Sequence, residues 1–208
     1  LCLTLVRCGY LEEGEGDLRL APRVLTLAGG FLRGLQVGRV VQPVLRHAAE
    51  ELDMEVALAT RDRLHAVYVD RAAPASARVT LGFGIGSALP LLHTAVGRML
   101  LARSSAEVLD QALAARSPQP YTEATELDAA PLRAAVETAR EQGYAFARDE
   151  FELGAAGVAV PLGGLGQVPF VLATTASVNA FDESGRLERV LDVLRRCALA
   201  IGRIGAPR

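Results

Sequence analysis

The alternation of apolar and polar positions divides the chain into helical and extended stretches. Residues 1–9 (LCLTLVRCG) read as the end of a helix stopped by Gly9. YLEE and LRL flank the glycine-rich GEGD, which predicts a small β-hairpin. Pro22 suits a first helical turn, and Val24, Leu25, Leu27, Phe31 and Leu35 predict a helix behind it, weakened and bent at Gly29-Gly30. A second helix near 38–53 places Val41, Val44, Leu45, Ala48 and Leu52 on one face. The period then changes to two. EVALAT, HAVYVDR and ARVTLGF predict a meander of strands separated by RDRL and AAPAS.

GIGSALPLLH reads as a loop, after which Thr94 caps a helix over Ala95–Ala102. Further helices are predicted at about 105–115 and from near Asp128 to a stop at Gly143. AAGVAVPL and QVPFVLATTASV predict two strands joined by a GGLG turn. A last helix, placed from near Asp182, carries a stripe of Leu187, Val190, Leu191, Leu194, Cys197, Ala198 and Ile201. This order predicts a small helix–hairpin piece, a connecting helix and an α+β domain with a mostly antiparallel sheet, the boundary falling near 34–38.

Composition fits one such domain with an appendage. In 208 residues, a 50% hydrophobic and 22% charged content excludes a disordered chain. The 22 basic residues, all arginine, against 24 acidic ones leave a net charge of −2, so any nucleic-acid contact must rest on a local patch. Three widely spaced cysteines, Cys2, Cys8 and Cys197, argue against a disulfide framework and for a reducing, cytoplasmic compartment. No apolar run has the length of a membrane span. The chain opens on Leu1, which is the expectation for a sequence lacking its front.

The candidate chemistry is sparse. His47, His65 and His93 show no ligand spacing with the cysteines, and no nucleophile motif is present, so neither a metal, a cofactor nor a catalytic residue is assigned. Gly82, Gly84 and Gly86 lack the final step of a dinucleotide loop and no βαβ unit surrounds them. The helix start at Thr94 is different. Free N–H groups at Ala95, Val96 and Gly97 would favour an anion such as a carboxylate, while an ordinary capped helix remains the alternative. Arg78 and Arg148 each stand at the edge of an apolar, strand-like run, from which an arginine could reach a pocket.

HAVYVDR, GIGSALPLLHTAVGRMLLA and EQGYAFARDEFELGAAGVAVPL occur in the order and spacing found in the IclR family of bacterial transcriptional regulators. The likeness spans about residues 3–205. EQGYAF through ELG, with Gly97-Arg98, is most similar to the subgroup that senses aromatic acids of the protocatechuate and hydroxybenzoate pathways. The resemblance implies the remnant of a winged helix-turn-helix over 1–21, with Thr4 and Arg7 on the DNA-recognition helix, and a linker helix over 22–36. It also implies a GAF-like effector-binding domain over 37–208.

The remnant is electrically balanced, Arg7, Arg19, Arg23 and Arg33 against Glu12, Glu13, Glu15 and Asp17, so the missing front is expected to supply the basic surface. By the same resemblance, Ala95 and Val96 hold the carboxylate of an effector, Arg78 and Leu81 fall near an apolar wall, and Ala147, Gly157, Thr174 and Ala176 stand where relatives that bind a small keto-acid carry polar groups. Small residues there would enlarge the cavity and favour an aromatic acid or longer keto-acid. Arg78, Arg148, His93, Thr94 and Thr175 are the candidate replacement contacts. The implied partners are operator DNA, a small carboxylate and a second copy of the chain, with dimers of dimers as an extension and no membrane. The rival readings are a stand-alone sensing domain with a protein partner and a small-molecule enzyme.

Overall fold

The computed structural model describes residues 1–34, 37–76, 83–163 and 169–205. Helix α1 (Cys2–Arg7) ends before Gly9, whose φ of +72° reverses the chain into the hairpin β1 (Leu11–Glu13) and β2 (Leu18–Leu20). Arg23 fixes this unit by donating from Nη1 to the Cys8 carbonyl at 2.7 Å and covering the Tyr10 ring. Pro22 lies just outside helix α2 (Val24–Gly34), which runs unbroken through Gly29-Gly30.

A wide π-type turn (Val37–Val41) leads into α3 (Gln42–Leu52). Pro43 has no N–H to give to the carbonyl four residues back, which is the local reason for the irregular entry. The chain then builds β3 (Glu55–Asp62), β4 (His65–Ala72), β5 (Ala88–Pro90), α4 (Ala95–Ala102), α5 (Ala106–Ala114) and α6 (Ala129–Gln142). It closes with β6 (Ala145–Arg148), β7 (Ala155–Leu162), β8 (Phe170–Ser177) and α7 (Arg186–Gly205). Six strands form one antiparallel sheet in the order β5-β4-β3-β8-β7-β6. Helices α3 and α7 cover one face; α4, α5 and α6 cover the other. The architecture is α+β, as the patterning predicts.

Three local differences have physical causes. The stretch read as a loop after Gly86 contains β5, short enough to carry no period-two signal, which pairs Pro90 with His65 and Ala88 with Val67. The last helix begins at Arg186, not near Asp182, because a 3-10 turn (Val178–Phe181) and Gly185 at φ +80° intervene. Strand β6 emerges directly from the Gly143 stop. Most of the strand expected in ARVTLGF lies outside the described residues.

The two faces of the sheet differ in side-chain size. Towards α3 and α7 point Val56, Leu58, Val158, Val160, Phe170 and Leu172; towards α4 point Ala57, Ala59, Ala145, Ala147, Ala159 and Ala173. The small face lets α4 lie close to the sheet. Gly97 completes the fit, since a Cβ there would stand 2.3 Å from the Leu91 backbone. Backbone cannot yield as a flexible side chain can. Gly97→Ala is therefore expected to destabilise the domain by about 1–3 kcal/mol in urea unfolding. Gly30→Ala on exposed α2, where a Cβ meets nothing, should leave stability unchanged or raise it by up to about 1 kcal/mol.

Candidate functional site

The first turn of α4 is held by residues 90–92. Thr94 stands in extended conformation as N-cap, and its Oγ1 accepts from the Gly97 N–H at 3.0 Å and donates to the Pro90 carbonyl at 2.8 Å. The Gly97 N–H is thus consumed by the cap, a correction to the expectation of three free donors. The N–H groups of Ala95 and Val96 find no acceptor among the described residues. Arg98, buried one position beyond, donates from Nε to the Leu92 carbonyl at 2.8 Å and forms a two-pronged pair with Glu150, one prong at 2.7 Å.

These donors face a cavity of about 60 Å³, room for a few water molecules. His93, Thr94, Ala95 and Val96 form its wall on the α4 side, Ala147, Gly157 and Thr175 line it from the sheet, and Tyr68, Phe83, Leu89 and Phe151 add apolar surface. A wider cleft of about 320 Å³ lies on the far side of His93, against Leu64, Pro90, Ala112 and Tyr121. The rings of His93 and Tyr121 lie 5.4 Å apart between centroids, Tyr121 and Phe151 5.0 Å, and Phe151 and Phe83 6.0 Å.

The loop carrying Phe151 is pinned from outside. Thr122 donates to the Asp149 carbonyl at 2.5 Å and Thr125 to the Glu150 carbonyl at 2.6 Å. Asp149, at φ +61°, accepts from the Gly154 N–H through Oδ1 at 2.6 Å.

Alternation along the strands decides which expected residues reach the cavity. On β6, Ala145 and Ala147 point to the α4 layer, while Phe146 and Arg148 point away. Arg148 instead donates to Asp182 Oδ1 at 2.8 Å and covers the Phe146 ring, so it is no wall of this cavity. On β8, Ala176 packs into the opposite core and is likewise corrected. Thr174 touches the cavity, but its hydroxyl donates to the Glu55 carbonyl at 2.7 Å across the β3–β8 pair and offers no free polar group. Arg78 and Leu81 lie outside the described residues. On the hairpin side, Thr4 and Arg7 are exposed on α1.

The small-residue positions do less to open the cavity than expected. A Cβ on Gly157 would meet Ala95 Cβ at 3.6 Å, because α4 moves into the space that the alanines leave. Sequence reading passed over Tyr68, Phe83 and Phe151. Tyr68 carried a signal in the period-two pattern of HAVYVDR, as an aromatic among inward positions; Phe83 and Phe151 sit in irregular segments where periodicity is silent.

The electrostatics are local and mixed. Burial, then the Arg98 guanidinium, hold His93 below its ordinary value of 6.5, so the ring is neutral at pH 7. Its Nδ1 is buried without a partner among the described residues. Three carboxylates also border the cavity. Glu150 is neutralised by Arg98, Asp149 is bound to Gly154, and Glu152 is exposed. The described residues contain no cluster of three metal-binding side chains, and no single helix among them is long and apolar enough to cross a membrane.

Residues 30–203 match the family "Bacterial transcriptional regulator IclR C-terminal". The chain is similar to the Pca regulon regulatory protein of Pseudomonas putida, 29% identical over 195 residues that cover 93% of this chain and 67% of the relative. It is also similar to the Pca operon regulatory protein of Acinetobacter baylyi, 30% identical over 78% of this chain and 59% of the relative. It therefore spans about three fifths to two thirds of the length of these two curated relatives. A crystal structure of an IclR homolog complexed with 4-hydroxybenzoate, from Microbacterium hydrocarbonoxydans, aligns with a TM-score of 0.79 and 25% identity over 97% of this chain and 82% of that one. By family match, architecture and relatives together, the chain belongs to the IclR family of bacterial transcriptional regulators.

Proposed function

We propose that residues 37–208 form the sensor of a cytoplasmic DNA-binding regulator and bind a small monocarboxylic acid, aromatic in preference to a short keto-acid. The observation that carries this reading is the pair of unpartnered N–H groups at Ala95 and Val96, which open from the positive end of α4 into a mostly apolar cavity. The unpartnered His93 Nδ1 supports it, as does the 4-hydroxybenzoate complexed with the similar homolog from Microbacterium hydrocarbonoxydans. The carboxylate sits on the two N–H groups, and the ring extends over Gly157 towards the open mouth at Phe83 and Phe151.

The proposed output is linkage. A ligand that prefers one arrangement of the paired chains shifts how the α1 surfaces, with Thr4 and Arg7, sit on operator half-sites. Leu25, Leu27 and Phe31 of α2 are 72%, 59% and 52% exposed, which favours a second copy of this chain as the partner of that helix.

Calorimetric titration of the purified chain with benzoates, pyruvate and glyoxylate tests the ligand class. At least one aromatic acid is expected to bind more tightly than either keto-acid; tighter binding of glyoxylate than of every aromatic acid refutes the reading. Gly157→Val, which fills the floor between Ala95 and Thr175, should weaken binding at least about tenfold while the thermal transition is kept.

The His93 shift gives a pH test. A bound carboxylate favours the imidazolium, so affinity should rise as pH falls from 7.5 towards 5.5, and His93→Gln should remove that rise. Without ligand the sign reverses for stability. The unfolded chain takes up the histidine proton first, so stability should fall as pH drops below about 6.5, and less so in His93→Gln.

A further inference from the structure

The cleft beyond His93, about 320 Å³, has the size of a small-molecule site, and the carboxylate reading makes no use of it. Leu64 reaches it from the β3–β4 turn, the buried Leu91 and Leu92 from the segment before α4, and Ala112 from the last turn of α5. The Tyr121 ring, set against His93 and Phe151, adds a flat wall. Among the described residues that line the cleft there is no carboxylate, whereas three border the α4 cavity.

Arg116, just past α5, is the lining side chain with a permanent charge. It is exposed, yet it is fixed in place. Its Nε donates to the Leu127 carbonyl at 3.0 Å and its Nη1 to the Leu113 carbonyl at 2.7 Å. Two of the five guanidinium N–H donors are thus spent on backbone and three remain. Among the described residues no Asp or Glu oxygen lies within 4.0 Å of it. Glu126, next to Leu127, directs Oε1 to the Asp128 N–H at 2.8 Å. The Leu113 carbonyl belongs to the negative end of α5, about half a charge, which the whole charge of Arg116 outweighs. A long side chain held by backbone before any ligand arrives loses little freedom on binding one.

We propose that this cleft is a second small-molecule site, separate from the one at α4, for an amphiphilic monoanion. Its anionic head sits on Arg116 and its apolar body on Leu64, Ala112 and the Tyr121 ring. One fixed cation without a carboxylate partner selects one anionic group, and the apolar walls select the body attached to it. The assignment does not depend on the carboxylate reading.

The probe is 1-anilinonaphthalene-8-sulfonate, with N-phenyl-1-naphthylamine as the relative that lacks the sulfonate. Of the three histidines in the chain, His65 and His93 line the cleft and His47 lies on α3, across the sheet. In proton NMR of the purified chain the sulfonate is expected to shift the ring signals of His65 and His93 and leave those of His47 in place. The same pattern should hold in Gly157→Val, where the α4 cavity is filled. In fluorescence titration, Arg116→Gln should weaken the sulfonate about fivefold or more and leave the uncharged amine within about twofold. Leu64→Glu, which sets a carboxylate into the cleft, should also weaken the sulfonate more than the amine, and serves where Arg116→Gln fails to fold. Absence of saturable binding, loss of binding in Gly157→Val, a shift at His47 alone, or unchanged affinity for the sulfonate in the folded variants overturns the assignment. The benzoate titrations decide the α4 reading separately.

Discussion

The clamp between the first turn of α4 and residues 90–92 is the constraint on which the rest of the site depends. Three successive residues are engaged from one helical turn: the Pro90 carbonyl by Thr94, the Leu91 backbone by the bare Cα of Gly97, and the Leu92 carbonyl by Arg98. Each alone is a modest interaction; the neutral Thr94 bond is worth on the order of 1 kcal/mol. Together they fix the direction of α4, and with it the direction of its two unpartnered N–H groups. Arg98 extends the clamp to the loop after β6 through Glu150, so the cavity wall and the helix start move as one piece.

The sheet permits this because its two faces carry side chains of different size. Large β-branched and leucine side chains on one face build a core against α3 and α7, and their bulk keeps those helices at ordinary packing distance. Alanine and glycine on the other face lose that bulk, and α4 descends onto them. The residual cavity is therefore narrow, set by Gly157 beneath Ala95. Small residues beneath a loosely held helix would leave a void. Beneath a clamped helix they bring the helix end close to the sheet, where its donors can meet a ligand resting on the strands.

Much of this was legible in the sequence. The apolar stripes of α3 and α7, the period-two runs of β3, β4, β7 and β8, and the Thr94 cap follow from spacing and residue type. The face on which Arg148 and Ala176 lie was also encoded, since counting by two from Ala147 and from Thr175 sends both to the opposite layer. Ala176 entered the site by family resemblance and Arg148 by its place at the edge of an apolar run, neither by that count. Three features were not legible. The three residues of β5 are too few to show a period. The packing role of Gly97 shows only once the Leu91 backbone is placed beside it. The alignment of Glu55 with Thr175 and of Thr175 with Gly157 depends on the pairing of β3 with β8 and β8 with β7, strands more than a hundred residues apart in the first case, and no local pattern specifies that register.

The site also gives the net charge of −2 its proper scale. With charges screened over roughly 10 Å in ordinary salt, a sum over 208 residues says little about the field at one helix end. What counts there is the order of near groups. Arg98 and Glu150 cancel each other at contact, Asp149 keeps its charge but spends Oδ1 on a backbone donor, and Glu152 faces water, so the positive end of α4 is the feature that favours an anion at the Ala95 and Val96 donors. Burial, and then Arg98, hold the His93 ring neutral, so its nitrogen stays available and no second cation is added to the site. A single anionic group is thus favoured at the start of α4. The direction in which those two backbone donors point depends on the clamp that holds the start of α4 against the sheet.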